Sequence, residues 1–419
     1  MELMAAAGKA IRSRAKELLD LVIAETGATA AVGSRMQVPV AADRFERYSR
    51  DPRSVLSRAF VPQAVQATPL APGGLVSALA LRQPVGVVAC ITSYNFPMVN
   101  MAGKVAPALA MGNTVVVKPA PQDPLGVVEL VRILDEVGFP PGVVNLVTSS
   151  GADVPAALVQ CDEVDMVSFT GSTEVGVRIA QAGAATMKRL LLELGGKGAC
   201  IVLEDADLPA AVGCIGSTWS FHSGQICTAP TRALIHRSVF EETLERLSAY
   251  ATALKIGDPT EKDTVVGPLI SAAQRARVEH YVELGRSEGA EVLCGGGRPE
   301  HLGRGFYFEP TLMSGTNDLT PAREEIFGPV VVAICFDDED EAVALANDSD
   351  YGLYDYVFAK DTSRAMRLAR RLRAGHVGLN TAQRHHEAPF GGFGLSGIGR
   401  DGGDYGLEAY SELQAVIWT

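Results

Sequence analysis

The sequence contains no CxxC pair, although it has seven cysteines among its 419 residues. The cysteines are widely spaced and odd in number, at positions 90, 161, 200, 214, 227, 294 and 335. This distribution is typical of reduced thiols and argues against a disulfide framework or a zinc site. The sequence therefore predicts a cytoplasmic protein that needs no structural metal.

Positive charge and long apolar runs are also scarce. Lys and Arg number 37 against 49 Asp and Glu, which gives a formal net charge of −12. No stripe of Lys and Arg offsets this acidity, so a nucleic-acid partner is not expected. No segment runs about 18 residues without a charge or a helix breaker, and the first residues lack the pattern of an export signal. We therefore expect no membrane partner.

The hydrophobic pattern alternates between strands and helices. Gly27 ends an amphipathic helix over 9–26, and 98–111 and 124–137 also have helical spacing. Apolar runs of strand length lie at 85–91, 114–118, 143–147, 165–169 and 199–203. Repeated strand–helix–strand spacing predicts a parallel, doubly wound sheet, and the run at 199–203 begins a second α/β domain. The apolar strand 413–418 is expected to be covered, for example by another subunit.

Three residues could act together on a carbonyl group. Cys227 follows the pair Gly224-Gln225, Glu193 precedes a Gly-Gly turn, and Asn95 precedes Phe-Pro. A thiol can attack a carbonyl carbon, an amide can stabilise the resulting oxyanion, and a carboxylate can activate the water that releases the product. The three residues therefore predict acyl or aldehyde chemistry.

Seven motifs in series resemble the ordered signature set of the aldehyde dehydrogenase superfamily. They are Asn95-Phe96-Pro97, Val117-Lys118-Pro119, Phe169-Thr170-Gly171-Ser172-Thr173, Glu193-Leu194-Gly195-Gly196-Lys197, Gly224-Gln225-x-Cys227, Glu325-Ile326-Phe327-Gly328-Pro329 and Pro389-Phe390-Gly391-Gly392. The resemblance implies two doubly wound α/β domains and a small β oligomerisation flap. The cofactor-binding domain would comprise 1–65 and 85–195, the catalytic domain 196–400, and the oligomerisation segments 66–84 and 401–419.

The resemblance also assigns catalytic roles. Cys227 would be the nucleophile, and its backbone N–H and the Asn95 amide would hold the oxyanion. Glu193 would be the general base for hydrolysis, since relatives that transfer the acyl group to coenzyme A lack this glutamate. Lys104 matches a lysine near the site. Without the resemblance, these residues have ordinary interpretations: a buried thiol, a turn asparagine, a strand-closing carboxylate and an exposed helix lysine.

For the cofactor, the resemblance implies NAD or NADP. The turn with Gly171 and Ser172 lies between a strand and a helix, where backbone N–H groups can face a pyrophosphate. The other expected cofactor residues are Lys118, Glu325, Phe327, Thr92, Ser93 and Gly195. Many NAD-preferring relatives have a glutamate where this chain has Pro121, and a carboxylate there would repel a 2′-phosphate. We therefore expect both dinucleotides to be used.

For the substrate, the resemblance draws attention to Gly103, where many relatives place a bulky aromatic residue. A glycine there would widen the substrate passage and favour bulky aliphatic or aromatic aldehydes over acetaldehyde. The other expected substrate residues are Asn100, Trp219, Phe221, Thr228 and Phe390. The adjacent His385 and His386 point in different directions and lack a third spaced ligand, so they predict a polar entrance loop and no metal site.

The expected activity is NAD(P)-dependent oxidation of a small-molecule aldehyde to a carboxylic acid through a thioester on Cys227, in a homodimer or homotetramer. Relatives carry a substantial stretch before the helix 9–26, so the chain resembles an N-terminally shortened member. One alternative is a catalytically silent, shortened paralogue with a binding or structural role. Another is the fold-related acyl-phosphate reductase, against which Glu193 argues.

Overall fold

The computed structural model describes residues 1–50 and 53–419 of the chain. Its α-helices are Glu2–Ser13, Ala15–Thr26, Ala30–Val32, Val38–Arg47, Arg53–Leu56, Pro97–Ala110, Leu125–Val137, Asp153–Gln160, Thr173–Gly183, Leu208–Ser220, Phe240–Ala253, Ala272–Ser287, Thr320–Arg323, Glu339–Asn347, Thr362–Ala369 and Gly403–Ala409. Single turns of other helical geometry lie at Gly33–Gln37, Ala184–Thr186, His222–Gly224 and Arg237–Val239. The strands form two large sheets and two smaller ones.

The first large sheet has six strands. In spatial order they are Gly397–Ile398, Arg189–Glu193, Met166–Thr170, Val87–Ile91, Thr114–Lys118 and Val144–Leu146. The strand Gly397–Ile398 is antiparallel to its neighbour, and the other neighbouring strands are parallel. Helices connect the parallel strands because such strands need a crossover.

The second large sheet has seven strands. In spatial order they are Glu291–Cys294, Thr311–Ser314, Val330–Phe336, Arg232–His236, Ala199–Val202, Tyr354–Phe358 and His376–Leu379. The strand Glu291–Cys294 is antiparallel to its neighbour, and the other pairs are parallel. The α/β class expected from the repeated strand–helix spacing is confirmed.

Each large sheet is buried on both faces. Val88 and Cys90 pack into one hydrophobic cluster, whereas Ala89 and Ile91 pack into another. Successive side chains of a strand point to opposite faces, so this alternation places a core on each side of the six-stranded sheet. The strand Ala199–Val202 alternates between two clusters in the same way. Continuous apolar runs are therefore required, and they are what the sequence shows.

The third sheet is built around the long strand Gly74–Pro84. It pairs antiparallel with Ser57–Ala59, Gln63–Val65 and Ser411–Trp418. The strand Ser411–Trp418 lies at an edge of this sheet and carries exposed Leu413, Ile417 and Trp418. A fourth sheet is the short pair Tyr351–Gly352 and Phe393–Gly394. The division of the chain into cofactor-binding, catalytic and oligomerisation parts stays a prediction.

The N-terminal helical region differs from the single helix expected at 9–26. Two helices, Glu2–Ser13 and Ala15–Thr26, meet at Arg14, whose backbone leaves the helical region at φ −102° and ψ 15°. The expected stop is confirmed, because Gly27 ends the second helix with φ 68°, a conformation that favours glycine. The break was missed because Ala, Leu and Ile keep helical spacing on both sides of Arg14.

Candidate active site

The three predicted catalytic residues lie at the ends of strands and turns. Asn95 lies in the turn after the strand Val87–Ile91, and Glu193 is the last residue of its own strand. Cys227 follows the single helical turn His222–Gly224. The structure brings the Asn95 and Cys227 turns together, because the Asn95 side-chain amide donates to the Gln225 carbonyl at 2.9 Å.

Cys227 is half-buried, and its thiol has an unfavourable environment for a thiolate. Burial raises its pKa to about 12, and the negative charges of Glu325 and Glu193 raise it further. The guanidinium of Arg384 opposes this shift. The resting sulfur is therefore a protonated thiol, so its reaction needs a base or a nearby positive charge.

The loop that carries Cys227 is tightly fixed. Gly224 has φ 75°, and a side chain there would overlap the Gly328 carbonyl, so only glycine fits. The Ser223 hydroxyl donates to the Gly267 carbonyl at 2.7 Å. The Gln225 side chain accepts from the Ile270 N–H at 3.0 Å and donates to the His222 carbonyl at 3.2 Å. These contacts explain why a Gly-Gln pair precedes the nucleophile.

A hydrogen-bond network orients the Asn95 amide. Its oxygen accepts from the Ser93 hydroxyl at 2.8 Å and from the Asn100 amide at 3.3 Å. Its backbone carbonyl accepts from the Gln37 side chain at 3.1 Å. With its oxygen engaged by donors, the amide presents its N–H groups toward the Cys227 loop. Ser93 and Asn100, expected to touch cofactor and substrate, thus lie beside Asn95.

Glu193 has an electrostatic environment that disfavours its charged form. Both carboxylate oxygens are buried and have no hydrogen-bond partner among the described residues, and a methyl group built on Gly391 would lie 2.9 Å from Oε1. Burial raises the pKa of Glu193 well above its usual value, and Asp401 raises it further. Lys104 is the largest opposing charge. A carboxyl group with a raised pKa can exchange a proton near neutral pH, as a general base must.

Lys104 is buried in the helix Pro97–Ala110. Its ammonium donates to the Ser168 hydroxyl at 3.2 Å, and that hydroxyl lies 2.7 Å from the Tyr410 hydroxyl. Burial lowers the pKa of Lys104, whereas the charges of Asp401 and Glu193 raise it. The exposed-helix interpretation of Lys104 does not fit this position, because only 1% of the residue is exposed.

The expected pyrophosphate turn has the geometry of an anion site. The Ser172 hydroxyl caps the helix Thr173–Gly183 by accepting from the Val175 N–H at 3.4 Å. A side chain at Gly171 would overlap the Phe169 ring, so the turn stays free of side-chain bulk. A helix N-terminus presents N–H groups and a partial positive charge, which suit a phosphate.

Glu325 and Phe327 contact the turns that follow two strands of the six-stranded sheet. Glu325 accepts from the Gly196 N–H at 3.0 Å, and a side chain at Gly195 would overlap its carboxylate. Burial raises the pKa of Glu325 to about 7. The Phe327 ring lies edge-on to Tyr94, with centroids 5.8 Å apart.

Two further polar groups suit a ribose-bearing ligand. The Thr92 hydroxyl is buried without a hydrogen-bond partner. Lys118 is buried at the end of its strand, and burial lowers its pKa. Hydroxyl, ammonium and carboxylate groups are the partners that ribose hydroxyls need. The residues present therefore fit a dinucleotide at the carboxyl ends of the six-stranded sheet.

Aromatic rings surround the approach to the Cys227 loop. Phe221 stacks on Phe96, with centroids 5.7 Å apart. Phe390 lies 4.8 Å from the His376 ring. Thr228 is buried and accepts from the Arg384 guanidinium. The substrate roles of Phe221, Phe390 and Thr228 stay predictions.

Trp219 does not line this approach, and its expected substrate role does not fit the structure. It is fully buried, and its indole N–H donates to the Thr311 carbonyl at 3.2 Å. In the helix Leu208–Ser220 it lies on the same face as Val212 and Ile215, which pack on the seven-stranded sheet. Helical periodicity places it in the core, although it is only two residues from Phe221.

Gly103 does not leave open space, contrary to the expected widening of the passage. A methyl group there would overlap Arg44 Nη1 and lie 2.9 Å from Cζ. Arg44 projects from the helix Val38–Arg47, which packs against the helix of Gly103. The glycine therefore makes room for a guanidinium, and the sequence could not show this because Arg44 lies far from any motif.

The His385–Glu387 segment is exposed, as expected for an entrance loop. Glu387 pairs with Arg47, and the His385 ring accepts from the Glu387 N–H at 3.3 Å. In the described part of the chain, no cluster of three or more His, Cys, Asp or Glu side chains could hold a metal ion. Within the same residues, no helix is both long and apolar enough to span a membrane.

Comparison with known proteins assigns the chain to a family. The family model described as aldehyde dehydrogenase family matches residues 1–416. The chain belongs to the aldehyde dehydrogenase family. As a member, it is an NAD(P)-dependent enzyme that oxidises aldehydes.

Individual relatives support this membership. A 3-succinoylsemialdehyde-pyridine dehydrogenase of a Pseudomonas species is 46% identical over 339 residues, which are 80% of this chain and 71% of the relative. Betaine aldehyde dehydrogenase of Bacillus subtilis is 43% identical over 340 residues, 80% of this chain and 69% of that protein.

Solved structures are similar over the whole chain. The NAD⁺ complex of an aldehyde dehydrogenase from Bacillus cereus matches with a TM-score of 0.92 at 36% identity, covering 100% of this chain and 83% of that one. An NADP-dependent enzyme of E. coli matches with a TM-score of 0.93 at 33% identity, covering 100% of this chain and 85% of the other. The aldehyde dehydrogenase fold is thus established for the chain.

Proposed function

We propose that this aldehyde dehydrogenase oxidises its substrate to a free carboxylic acid through a thioester on Cys227. The observation that carries the proposal is the juxtaposition of the Cys227 loop with the Asn95 amide, near the buried carboxyl group of Glu193. In the first step the Cys227 sulfur bonds to the aldehyde carbon, the carbon–oxygen π bond breaks, and the thiol proton passes to solvent. The carbonyl oxygen becomes an oxyanion in the resulting tetrahedral adduct.

The Asn95 amide and the Cys227 backbone N–H would hold this oxyanion. Fixed donors stabilise a developing charge without reorganising, and the network of Ser93 and Asn100 fixes the amide. The amide N–H that now bonds the Gln225 carbonyl shows that Asn95 reaches the loop. Nicotinamide supplies, when bound, the acceptor for the hydride that leaves the adduct as it becomes a thioester.

Glu193 would act as the general base that releases the acid. It takes a proton from a water molecule, and the resulting hydroxide attacks the thioester carbon. The carbon–sulfur bond then breaks, which frees the carboxylic acid, and the Cys227 sulfur recovers a proton from the Glu193 carboxyl group. The raised pKa and the absence of hydrogen-bond partners leave the carboxyl oxygens free for this water.

The dinucleotide would be held by the residues at the edge of the six-stranded sheet. The Gly171–Ser172 turn would bind the pyrophosphate, Lys118 and Glu325 the riboses, and Phe327 would flank the nicotinamide. Thr92, Ser93 and Gly195 lie along the same edge.

We expect both NAD and NADP to support turnover. Pro121 is exposed and uncharged, so no carboxylate at this position repels a 2′-phosphate. The test is reduced-cofactor formation by the purified chain with octanal, benzaldehyde and acetaldehyde, against each dinucleotide. We expect the kcat/KM values for NAD and NADP to differ by no more than about 100-fold, because the chain lacks the carboxylate that would repel the 2′-phosphate of NADP.

Two results of this assay would contradict the proposal. A kcat/KM for NADP thousands of times below that for NAD would rule out dual use. No turnover of any aldehyde by a folded chain that binds dinucleotide would rule out the proposed oxidation.

The aromatic rings of Phe96, Phe221 and Phe390 favour an aldehyde with a substantial body over acetaldehyde. An equal or higher kcat/KM for acetaldehyde in the same assay would contradict this preference. The argument no longer uses Gly103, because Arg44 fills the space beside it.

We also propose that the chain forms a homodimer or homotetramer through the third sheet. The strand Ser411–Trp418 presents exposed Leu413, Ile417 and Trp418, and the main-chain groups at a sheet edge are ready to pair. Sedimentation of the purified chain as a monomer at micromolar concentration would contradict this assembly.

A further inference from the structure

Two arginines without a catalytic role lie beside residues of the site: Arg44 beside Gly103, and Arg384 beside Thr228. Arg44 fills the space beside Gly103, which is the residue before Lys104. Among the described residues its buried Nε has no hydrogen-bond partner, and its ion pair with Asp401 is long at 3.6 Å. A guanidinium has five N–H donors, so Arg44 keeps N–H groups that a ligand could use.

Arg384 approaches the same region from the loop that precedes Pro389. Its guanidinium donates to the hydroxyl of Thr228, the residue after the nucleophile. It also lies over the Phe390 ring, 4.8 Å from the centroid. Arg384 lowers the pKa values of both Cys227 and Glu193. Its charge therefore acts directly on the space where the aldehyde must lie.

Several cations lie on this side of the site. Arg44 pairs with Asp401, and the charges of Lys104, Arg400 and Arg384 all act on Glu193. The chain as a whole carries a formal charge of −12. The overall charge of the protein repels anions, whereas the guanidinium groups around the site attract them locally.

We propose that Arg44 and Arg384 are specificity-determining residues that select aldehydes carrying a carboxylate. This inference rests on the proposed function and names its substrate class: oxo acids whose aldehyde reacts with Cys227 while the carboxylate binds guanidinium N–H groups. A carboxylate suits these groups because its two oxygens match the planar fork of arginine. The aromatic rings around the passage contact the carbon chain between the two ends.

The test compares substrates that differ only in the carboxylate. The probes are 4-oxobutanoate against butanal, and 4-carboxybenzaldehyde against 4-methylbenzaldehyde, each with saturating dinucleotide. We expect the wild-type kcat/KM to favour the acid of at least one pair. Arg44→Met and Arg384→Met should each lower the acid-to-neutral ratio by about 10- to 100-fold, the usual effect of losing a hydrogen bond to a charged group.

Matched variants separate recognition from other effects. Arg44→Lys and Arg384→Lys should keep part of the preference because they keep the charge. Arg237→Met, which removes an exposed arginine paired with Asp337, should leave the ratio unchanged. If Arg44→Met does not fold, the acid-to-neutral ratios of Arg44→Lys, Arg384→Met and Arg384→Lys test the inference.

Three results would overturn the inference. One is a wild-type enzyme that prefers the neutral member of both pairs. Another is an acid-to-neutral ratio that neither methionine variant changes. The third is an equal loss for both substrates in Arg384→Met together with a shift of Cys227 alkylation to higher pH, because Arg384 would then act on the thiol. Turnover of butanal shows in each case that the proposed oxidation itself holds.

Discussion

Cys227→Ala should lower aldehyde-dependent formation of reduced dinucleotide by at least about 1,000-fold, because removal of a nucleophile leaves no covalent route. Binding of the dinucleotide should remain, since the Gly171–Ser172 turn and Glu325 belong to other elements. The measurement is initial rate with benzaldehyde and NAD, alongside fluorescence titration of the dinucleotide. Loss of turnover with binding intact would establish Cys227 as the nucleophile.

The matched control for this variant is Cys161→Ala. Cys161 is exposed at the end of the helix Asp153–Gln160, so its removal should leave the rate unchanged. Cys90 and Cys200 are buried, and burial raises their pKa values, so neither thiol can take over the reaction. Turnover by Cys227→Ala at more than a few per cent of the wild-type rate would mean that the chemistry does not pass through this thiol.

Glu193→Gln should separate the two halves of the reaction. Formation of the thioester does not need the Glu193 carboxylate as water base, whereas hydrolysis does. Rapid mixing should therefore show one equivalent of reduced dinucleotide per subunit, followed by steady-state turnover reduced by about 100- to 10,000-fold, the range for loss of a general base. The burst amplitude and the steady-state rate are measured in the same stopped-flow trace.

The pH dependence of this variant gives a second readout. Burial and Asp401 raise the pKa of wild-type Glu193, so its carboxyl group is increasingly deprotonated as pH rises through that pKa. If hydrolysis limits turnover, the wild-type rate should increase with pH over this range, and the Gln variant should lose the increase. A Gln variant that loses the burst along with steady-state turnover would show that Glu193 acts before the thioester forms.

Much of the fold could be predicted because strands and caps are local signals. The expected helix at 124–137 is Leu125–Val137 in the structure, and the expected strand at 114–118 is Thr114–Lys118. Both are bounded by proline, glycine or asparagine, which end such elements through backbone geometry. Long apolar runs with these boundaries allow few alternatives.

The surroundings of the site were harder to predict because they depend on residues distant in sequence. Arg44 reaches Gly103 from a helix that carries no motif, and Asp401 reaches Arg44 from the segment before the helix Gly403–Ala409. Trp219 is only two residues from Phe221 in sequence, yet it is buried in the core. Closeness in sequence did not show which face of the helix it occupies. Side-chain direction within an element decided these cases, and the sequence pattern did not specify it.

The pairing of strands also constrains the order in which the chain can fold during synthesis. Glu193 pairs with Gly397, and the strand Gly74–Pro84 pairs with Ser411–Trp418. Each pair joins segments separated by some two hundred residues or more. A ribosome releases the chain from the N-terminus, so the edge of the sheet beside Glu193 stays open until about two hundred further residues have emerged. In a nascent chain, the segments that carry Cys227 and the Gly171–Ser172 turn would therefore emerge before the strand that completes the sheet beside Glu193.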